Sequence, residues 1–140
     1  MNRILGIDFG TRRIGLALSD PTGTFASPLP FLENSGLQKV ATALQELVQA
    51  QDVQTVVIGL PRNMDGTYGP AAQKVREFIA QIQPHLSAKI TCQDERLTTA
   101  QASRDLSQMG LNQRELRKKV DSSSAALILQ QFLDRNHPHP

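Results

Sequence analysis

Three acidic residues have the type and spacing for metal chemistry: Asp8, Glu95 and Asp121. Asp8 ends a predicted apolar strand, Glu95 follows a later predicted strand, and Asp121 opens the predicted last helix. A carboxylate at the tip of a buried strand loses hydration and needs a cation, a donor or a metal ion to stabilise its charge. If the three converge, these hard oxygen ligands suit Mg²⁺ or Mn²⁺ and argue against zinc.

The chemistry that needs such a cluster is phosphodiester hydrolysis. Two ions about 4 Å apart stabilise both the attacking water and the departing oxygen, and no covalent nucleophile is required. Each acid also has a simpler explanation. Asp121 is a good helix N-cap, Glu95 could be a solvated turn residue, and Asp8 could accept hydrogen bonds from the turn amides of Gly10 and Thr11.

The elements that must position these acids follow from hydrophobic periodicity. Alternating or unbroken apolar runs predict five strands, over residues 3–9, 14–19, 24–31, 53–58 and 88–92. Helical periodicity predicts four helices, over residues 37–48, 75–82, 99–109 and 121–133. Because short turns join the first three strands and helices precede the last two, we expect a mixed five-stranded α/β sheet with its first three strands antiparallel and helices on both faces.

Two details refine this arrangement. Pro28 and Pro30 cannot donate to a ladder, so the third strand is predicted at the sheet edge. Carboxyl ends of parallel strands meet at one edge of a sheet, which would bring Asp8 and Glu95 together. The loop after the fourth strand is predicted to begin at Gly59.

Length and composition indicate one domain. A chain of 140 residues supports a single core, which we assign to residues 1–135, with a disordered tail over residues 136–140. No apolar run approaches the roughly 20 residues of a membrane span. A single cysteine cannot form an internal disulfide, which suits a reducing compartment. From these two observations we expect a cytoplasmic protein without membrane contact.

The positive charge is concentrated in one segment. Residues 111–120 carry four basic residues and one acid, and acids outnumber bases by one in the rest of the chain. A local basic stretch favours contact with a polyanion such as nucleic acid, although a solvated helix face would have the same composition. The candidate phosphate contacts are Arg12, Arg13, Arg62, Arg114, Arg117, Lys118 and Lys119. With one tyrosine and no tryptophan, base stacking is not expected to be the main grip.

Four motifs together resemble the YqgF (RuvX-like) family of the RNase H-like superfamily. They are residues 6–17 (GIDFGTRRIGLA), 59–67 (GLPRNMDGT), 94–99 (DERLTT) and 119–121 (KVD). The resemblance covers essentially the whole chain and implies an RNase H-like fold with a divalent-metal nuclease site. By matching position, Asp8, Glu95 and Asp121 would be its catalytic, metal-binding acids. Members are described as Holliday junction resolvases and as nucleases that mature the 5′ end of precursor 16S ribosomal RNA.

The substrate remains open between these two descriptions. RuvC-type resolvases carry an acid after the fourth strand and a pair of acids on the last helix, whereas this chain has Gly59 and Ser124 at the corresponding places. We therefore expect precursor rRNA first and branched DNA second, for a monomer or a homodimer. Two other classes are an actin-like ATPase lobe, suggested by residues 8–11 but lacking a second lobe, and a non-catalytic nucleic-acid-binding module.

Overall fold

Five strands and three α-helices form the part of the chain that the structure describes. The computed structural model describes residues 3–63, 65, 67–95 and 113–136, and for Glu95, residues 113–123 and Asn136 it describes the backbone alone. The strands are β1 (Arg3–Phe9), β2 (Arg13–Ser19), β3 (Ala26–Glu33), β4 (Val53–Pro61) and β5 (Lys89–Glu95). The helices are α1 (Leu37–Ala50), α2 (Pro70–Ile82) and α3 (Gln113–Asn136), and Gln83–His85 adds one turn of 3-10 helix.

The strands form one mixed sheet in the order β3-β2-β1-β4-β5. β1 pairs antiparallel with β2, and β2 pairs antiparallel with β3. The other two pairings, β1 with β4 and β4 with β5, are parallel. The predicted fold class is therefore confirmed, and β3 lies at the edge of the sheet, as its two prolines predicted.

Helices cover both faces of this sheet. On one face α1 and α2 pack their apolar stripes against β1 and β4, around Leu5, Ile7, Val56 and Ile58. On the other face α3 packs Ala125, Ile128, Leu129 and Leu133 against Ala17 and Val57. Successive side chains of β1 point alternately to these two faces, because residues two apart in a strand share a face.

Gly6 lets α3 approach β1 closely. A Cβ placed on Gly6 would lie 2.8 Å from the Cβ of Leu129 and 3.0 Å from the carbonyl oxygen of Ala125. Any larger residue would push the helix away from the strand. Since Gly6 and Asp8 share a face of β1, this contact sets the height of α3 above the side of the sheet that carries Asp8.

Two strands are longer than the sequence indicates. β4 continues through Gly59 to Pro61, and β5 continues to Glu95, because the parallel ladder extends from Gly59 opposite Gln93 to Pro61 opposite Glu95. The prediction that residues 59–61 form a loop was wrong, and so was the placement of Glu95 beyond its strand. Glycine and proline are poor strand formers, and the pairing partner overrides their local preference.

The last helix also begins earlier than predicted. α3 starts at Gln113, so Asp121 lies in its interior and neither opens nor caps it. Residues 113–120 are mostly strong helix formers such as Gln, Arg, Glu, Leu and Lys, so nothing stops the helix at Asp121. Asn136 is the last residue of α3 and not part of the predicted tail. The helix predicted over residues 99–109 lies outside the described residues, as do residues 137–140 of the tail.

Candidate active site

Asp8 is the penultimate residue of β1, at the carboxyl end of the parallel strands. It is half-buried, and it pairs with Gly15 of β2. On the other side of β1 lies β4, and there Ile7 pairs with Ile58. One residue further along both strands, Asp8 lies beside Gly59. Both flanking residues are buried glycines, so neither neighbouring strand places a side chain directly beside Asp8 on the α3 face.

Glu95 reaches the same end of the sheet through β5. It pairs with Pro61, and Gln93, two residues earlier, pairs with Gly59. The strand positions of Gln93 and Glu95 thus fall on the face that carries Gly59 and Asp8. Only the backbone of Glu95 is described, and this backbone position is compatible with its predicted role.

Asp121 comes to this edge through the direction of α3. The Gln130 amide donates to the carbonyl oxygen of Thr24 at 2.9 Å and accepts from the N–H of Ala26 at 2.9 Å, which anchors that part of the helix at the amino end of β1. The preceding turns of α3 therefore run toward the carboxyl end. Asp121 lies about 6 Å along the helix before Ala125, the residue that contacts Gly6.

The strand covers a matching distance. Asp8 lies about 6.6 Å along β1 beyond Gly6, so the backbones of Asp8 and Asp121 advance together from the contact between α3 and Gly6. The strand ladder brings the backbones of Asp8 and Glu95 to one edge and one face of the sheet, and Asp121 lies on the part of α3 that runs toward that edge. Asp8 alone among them has a described side chain, so the three-carboxylate cage stays a prediction.

Gln93 is a functional candidate that sequence reasoning missed. Its side chain is 4% exposed, and its Oε1 is buried without a hydrogen-bond partner among the described residues. Leaving a buried acceptor unsatisfied costs about 1–3 kcal/mol, so such a group is expected where a ligand completes its bonding. The signal was hidden because the predicted fifth strand ends at residue 92, which leaves Gln93 outside it.

The donor set next to Asp8 fits a hard divalent cation. A carboxylate and an unpaired amide oxygen are ligands that Mg²⁺ and Mn²⁺ accept. Among residues whose side chains the structure describes, no group of three His, Cys, Asp or Glu residues could hold a metal ion. A complete cage would therefore require Glu95 and Asp121.

The hairpin between β1 and β2 holds the first two predicted phosphate contacts near Asp8. A Cβ on Gly10 would lie 2.3 Å from the carbonyl oxygen of Arg13, so the turn requires glycine there. Asn34 fixes the turn, since its side-chain amide donates to the oxygen of Gly10 at 3.1 Å and its backbone N–H donates to that of Arg12 at 2.9 Å. Arg12 and Arg13 are both exposed.

The remaining predicted contacts have different surroundings. Arg62 is ion-paired, with its Nη1 3.1 Å from the Oδ2 of Asp94. The other four are in the amino-terminal half of α3, in the two turns that precede Asp121, where the structure describes the backbone alone: Arg114, Arg117, Lys118 and Lys119. The basic segment is thus helical and leads directly to the candidate site.

Asp94 and its partners lie on the opposite face of β5. The Tyr68 hydroxyl donates to the Oδ1 of Asp94 at 2.9 Å. This hydrogen bond to a carboxylate raises the pKa of Tyr68, because the phenolate would lose the bond and be repelled. Burial raises the pKa of the nearby Cys92 thiol, so a thiolate is disfavoured there.

In the described part of the chain, no helix is both long and apolar enough to cross a membrane.

Comparison with known proteins connects this geometry to a family. Residues 2–135 match the family model described as "RuvX: Holliday junction resolvase". A relative from Moorella thermoacetica is 44% identical over 95% of this chain and 95% of its own length. A relative from Endomicrobium trichonymphae is 46% identical over 96% of each chain. Both carry the description "Putative pre-16S rRNA nuclease".

Solved structures with low sequence identity share the fold. RuvC of T. thermophilus, in complex with a Holliday junction substrate, aligns with a TM-score of 0.57 at 14% identity and covers 97% of this chain and 96% of its own. The Fowlpox virus resolvase, also with junction DNA, aligns with a TM-score of 0.55 at 12% identity and covers 96% of this chain and 98% of its own. These likenesses establish the RNase H-like architecture.

Proposed function

This chain belongs to the RuvX family of nucleases, and from that premise we propose that it hydrolyses phosphodiester bonds with divalent ions held by Asp8, Glu95 and Asp121. The observation that supports this proposal best is the position of Asp8. Asp8 is half-buried between two glycines, and across Gly59 the Oε1 of Gln93 is buried with no partner in the described part of the chain. A carboxylate beside an amide oxygen that has no partner among the described residues is suited to a cation and a phosphate.

The residues have separate roles in the proposed reaction. Bound Mg²⁺ or Mn²⁺, in one or two ions, would lower the pKa of a water molecule and neutralise charge on the phosphate. Asp8 holds its position through the ladder between β1 and β2, so its carboxylate is oriented before substrate binds. Gln93 would present its amide oxygen to the same cation or to its water.

Precursor 16S rRNA is the proposed substrate, with cleavage at its 5′ end in the cytoplasm. The names of the relatives from Moorella thermoacetica and Endomicrobium trichonymphae support this choice. The presence of Ser124 one turn after Asp121 supports it too, because the Ser124 side chain is 1% exposed and supplies a neutral group on that face of α3. Four-way DNA is the second candidate, favoured by the description of the family model.

A cleavage assay tests the metal site and the substrate together. We expect Mn²⁺-dependent cleavage of a precursor 16S fragment, and a loss of at least about 100-fold in the Asp8→Asn, Glu95→Gln double variant, a larger effect than removal of an outer-shell partner of a metal ligand. Glu46→Gln, an exposed acid on α1, is the matched control. Equal cleavage by the wild type and the double variant would exclude the three-carboxylate site.

The same assay separates the two substrates. Preference for a four-way DNA junction over the RNA fragment would favour resolution. Sedimentation of the purified protein adds independent information, because a two-fold symmetric homodimer suits the symmetry of a junction, whereas a monomer suits a single RNA end.

A further inference from the structure

A second cluster of polar residues lies at the same end of the sheet, on the face away from α3. It consists of Arg62, Tyr68, Arg76 and Asp94, and we call it the Tyr68 cluster. The Asp94 carboxylate accepts from Arg62 at 3.1 Å and from the Tyr68 hydroxyl at 2.9 Å. The guanidinium carbons of Arg62 and Arg76 lie 5.3 and 4.9 Å from the centre of the Tyr68 ring.

Arg76 retains its positive charge in this cluster. Asp94 offsets one of the two guanidinium groups, and among the described residues Arg76 has no carboxylate partner. The Tyr68 ring restricts the orientation of the Arg76 guanidinium through a cation–π contact, which does not neutralise it. The result is an exposed cation held against the Tyr68 ring, and such a guanidinium can donate to a phosphate oxygen.

The loop that carries Tyr68 is held by its own hydrogen bonds. Asp65 accepts from the backbone N–H of Thr67 at 3.0 Å and from its hydroxyl at 2.6 Å. Asn63 donates its backbone N–H to the carbonyl oxygen of Thr67 at 2.8 Å. Pro70 then begins α2, so Tyr68 is held between a closed turn and a helix start. The cluster is therefore built before any ligand arrives.

Its place relative to the candidate active site follows from β5. Asp94 and Glu95 are consecutive, so their Cα atoms are about 3.8 Å apart, yet strand alternation assigns them to opposite faces. A polymer that reaches both places must turn around the carboxyl end of β5. A single strand can do so, whereas duplex DNA, with a persistence length of about 150 base pairs, resists such a turn.

We propose that the Tyr68 cluster binds the backbone of a single-stranded nucleic acid, with Arg76 contacting a phosphate near the one that is cleaved. The cluster guides the strand around the end of β5 toward Asp8. Tyr68 is 41% exposed, so part of its ring can also contact a neighbouring base. The proposed path of the nucleic acid toward Asp8 rests on the proposed nuclease function. Binding at the Tyr68 cluster does not require cleavage.

Binding measured without divalent ions tests the cluster independently of catalysis. In a fluorescence anisotropy titration of a labelled single-stranded RNA in the presence of a chelator, Arg76→Gln should raise the Kd about tenfold. It should also reduce the slope of log K against log salt by about 0.7, the value of one phosphate contact on a single strand. The matched control is Lys74→Gln, which removes the same charge from the same helix beside Phe9 and Thr11.

Two further variants separate geometry from charge. Tyr68→Phe keeps the ring and should bind RNA within about twofold of the wild type, whereas Tyr68→Leu should weaken binding nearly as much as Arg76→Gln, because the guanidinium loses its support. Equal Kd values and equal salt slopes for Arg76→Gln and Lys74→Gln would overturn the proposal. Normal RNA binding by Arg76→Gln together with metal-dependent cleavage would reject the Tyr68 cluster and leave the nuclease site intact. Weakened binding in a protein that never cleaves would support the cluster and reject the nuclease site.

Discussion

Gln93 and Asp94 are neighbours in β5 and have opposite environments. Gln93 is buried on the α3 face with an oxygen that has no partner among the residues described, while Asp94 is exposed on the other face and accepts from both Arg62 and Tyr68. Polar groups that serve the fold are normally satisfied within it, and buried groups left unsatisfied are concentrated where a ligand binds. This difference supports the two proposed tasks of one strand end, chemistry on one face and guidance of the substrate on the other.

The largest difference in cleavage is expected between two Asp→Asn substitutions, one on each face of the sheet. Asp8→Asn should reduce the cleavage rate by at least about 100-fold, because the carboxylate would bind the cation. Asp94→Asn should change kcat/KM by no more than about tenfold, because it loosens Arg62 and Tyr68 but leaves the proposed metal ligands in place. Steady-state cleavage kinetics measure both, and similar losses in kcat would contradict the division between the faces.

Displacement of α3 should have the next largest effect. Gly6→Ala introduces a Cβ 2.8 Å from that of Leu129, so the helix must move. We expect a loss of stability of about 1–3 kcal/mol by urea unfolding, as for other overpacked contacts, together with reduced cleavage because Asp121 moves with the helix. RNA binding at the Tyr68 cluster should be retained. An unchanged urea midpoint would show that α3 does not depend on this close approach.

Gln93 offers a substitution in which stability and activity should move in opposite directions. Gln93→Met replaces a buried unsatisfied amide with an apolar side chain of similar length, so the protein should gain up to about 1 kcal/mol of unfolding free energy. Cleavage should fall about tenfold if the amide oxygen contacts the cation or its water. A destabilised variant with normal activity would show that Gln93 serves the fold instead.

The smallest effect is a titration on the other face. Tyr68 is the only tyrosine of the chain, so the ultraviolet absorbance of its phenolate reports one residue. Its pKa should lie above the ordinary value of about 10 and return toward it in Asp94→Asn. Since the folded pKa is raised, the associated stabilisation is present below the unfolded pKa and is lost as pH rises through the folded one. Equal titration curves would contradict the Asp94 contact.

Local patterns were sufficient for much of the architecture. The apolar run of β1 and the helical stripe that includes Val40 and Leu44 predicted their elements because burial on one face leaves a period in the sequence. Asp8 was identified for a related reason, as a charge among apolar neighbours. The boundaries failed at Gly59, Gln93 and Asp121, where pairing or packing with a distant segment decided the outcome.

The sequence by itself determined the order of the elements, the edge position of β3, the candidate acids and the family resemblance, since these depend on residue type and short-range spacing. Only the tertiary structure decided that Gly15 and Gly59 flank Asp8, that the oxygen of Gln93 is buried, and that Arg76 contacts the ring of Tyr68. The physical reason is that strand register and helix height are set by contacts between segments far apart in the chain. A one-residue change of register would exchange Gln93 and Asp94 between the two faces.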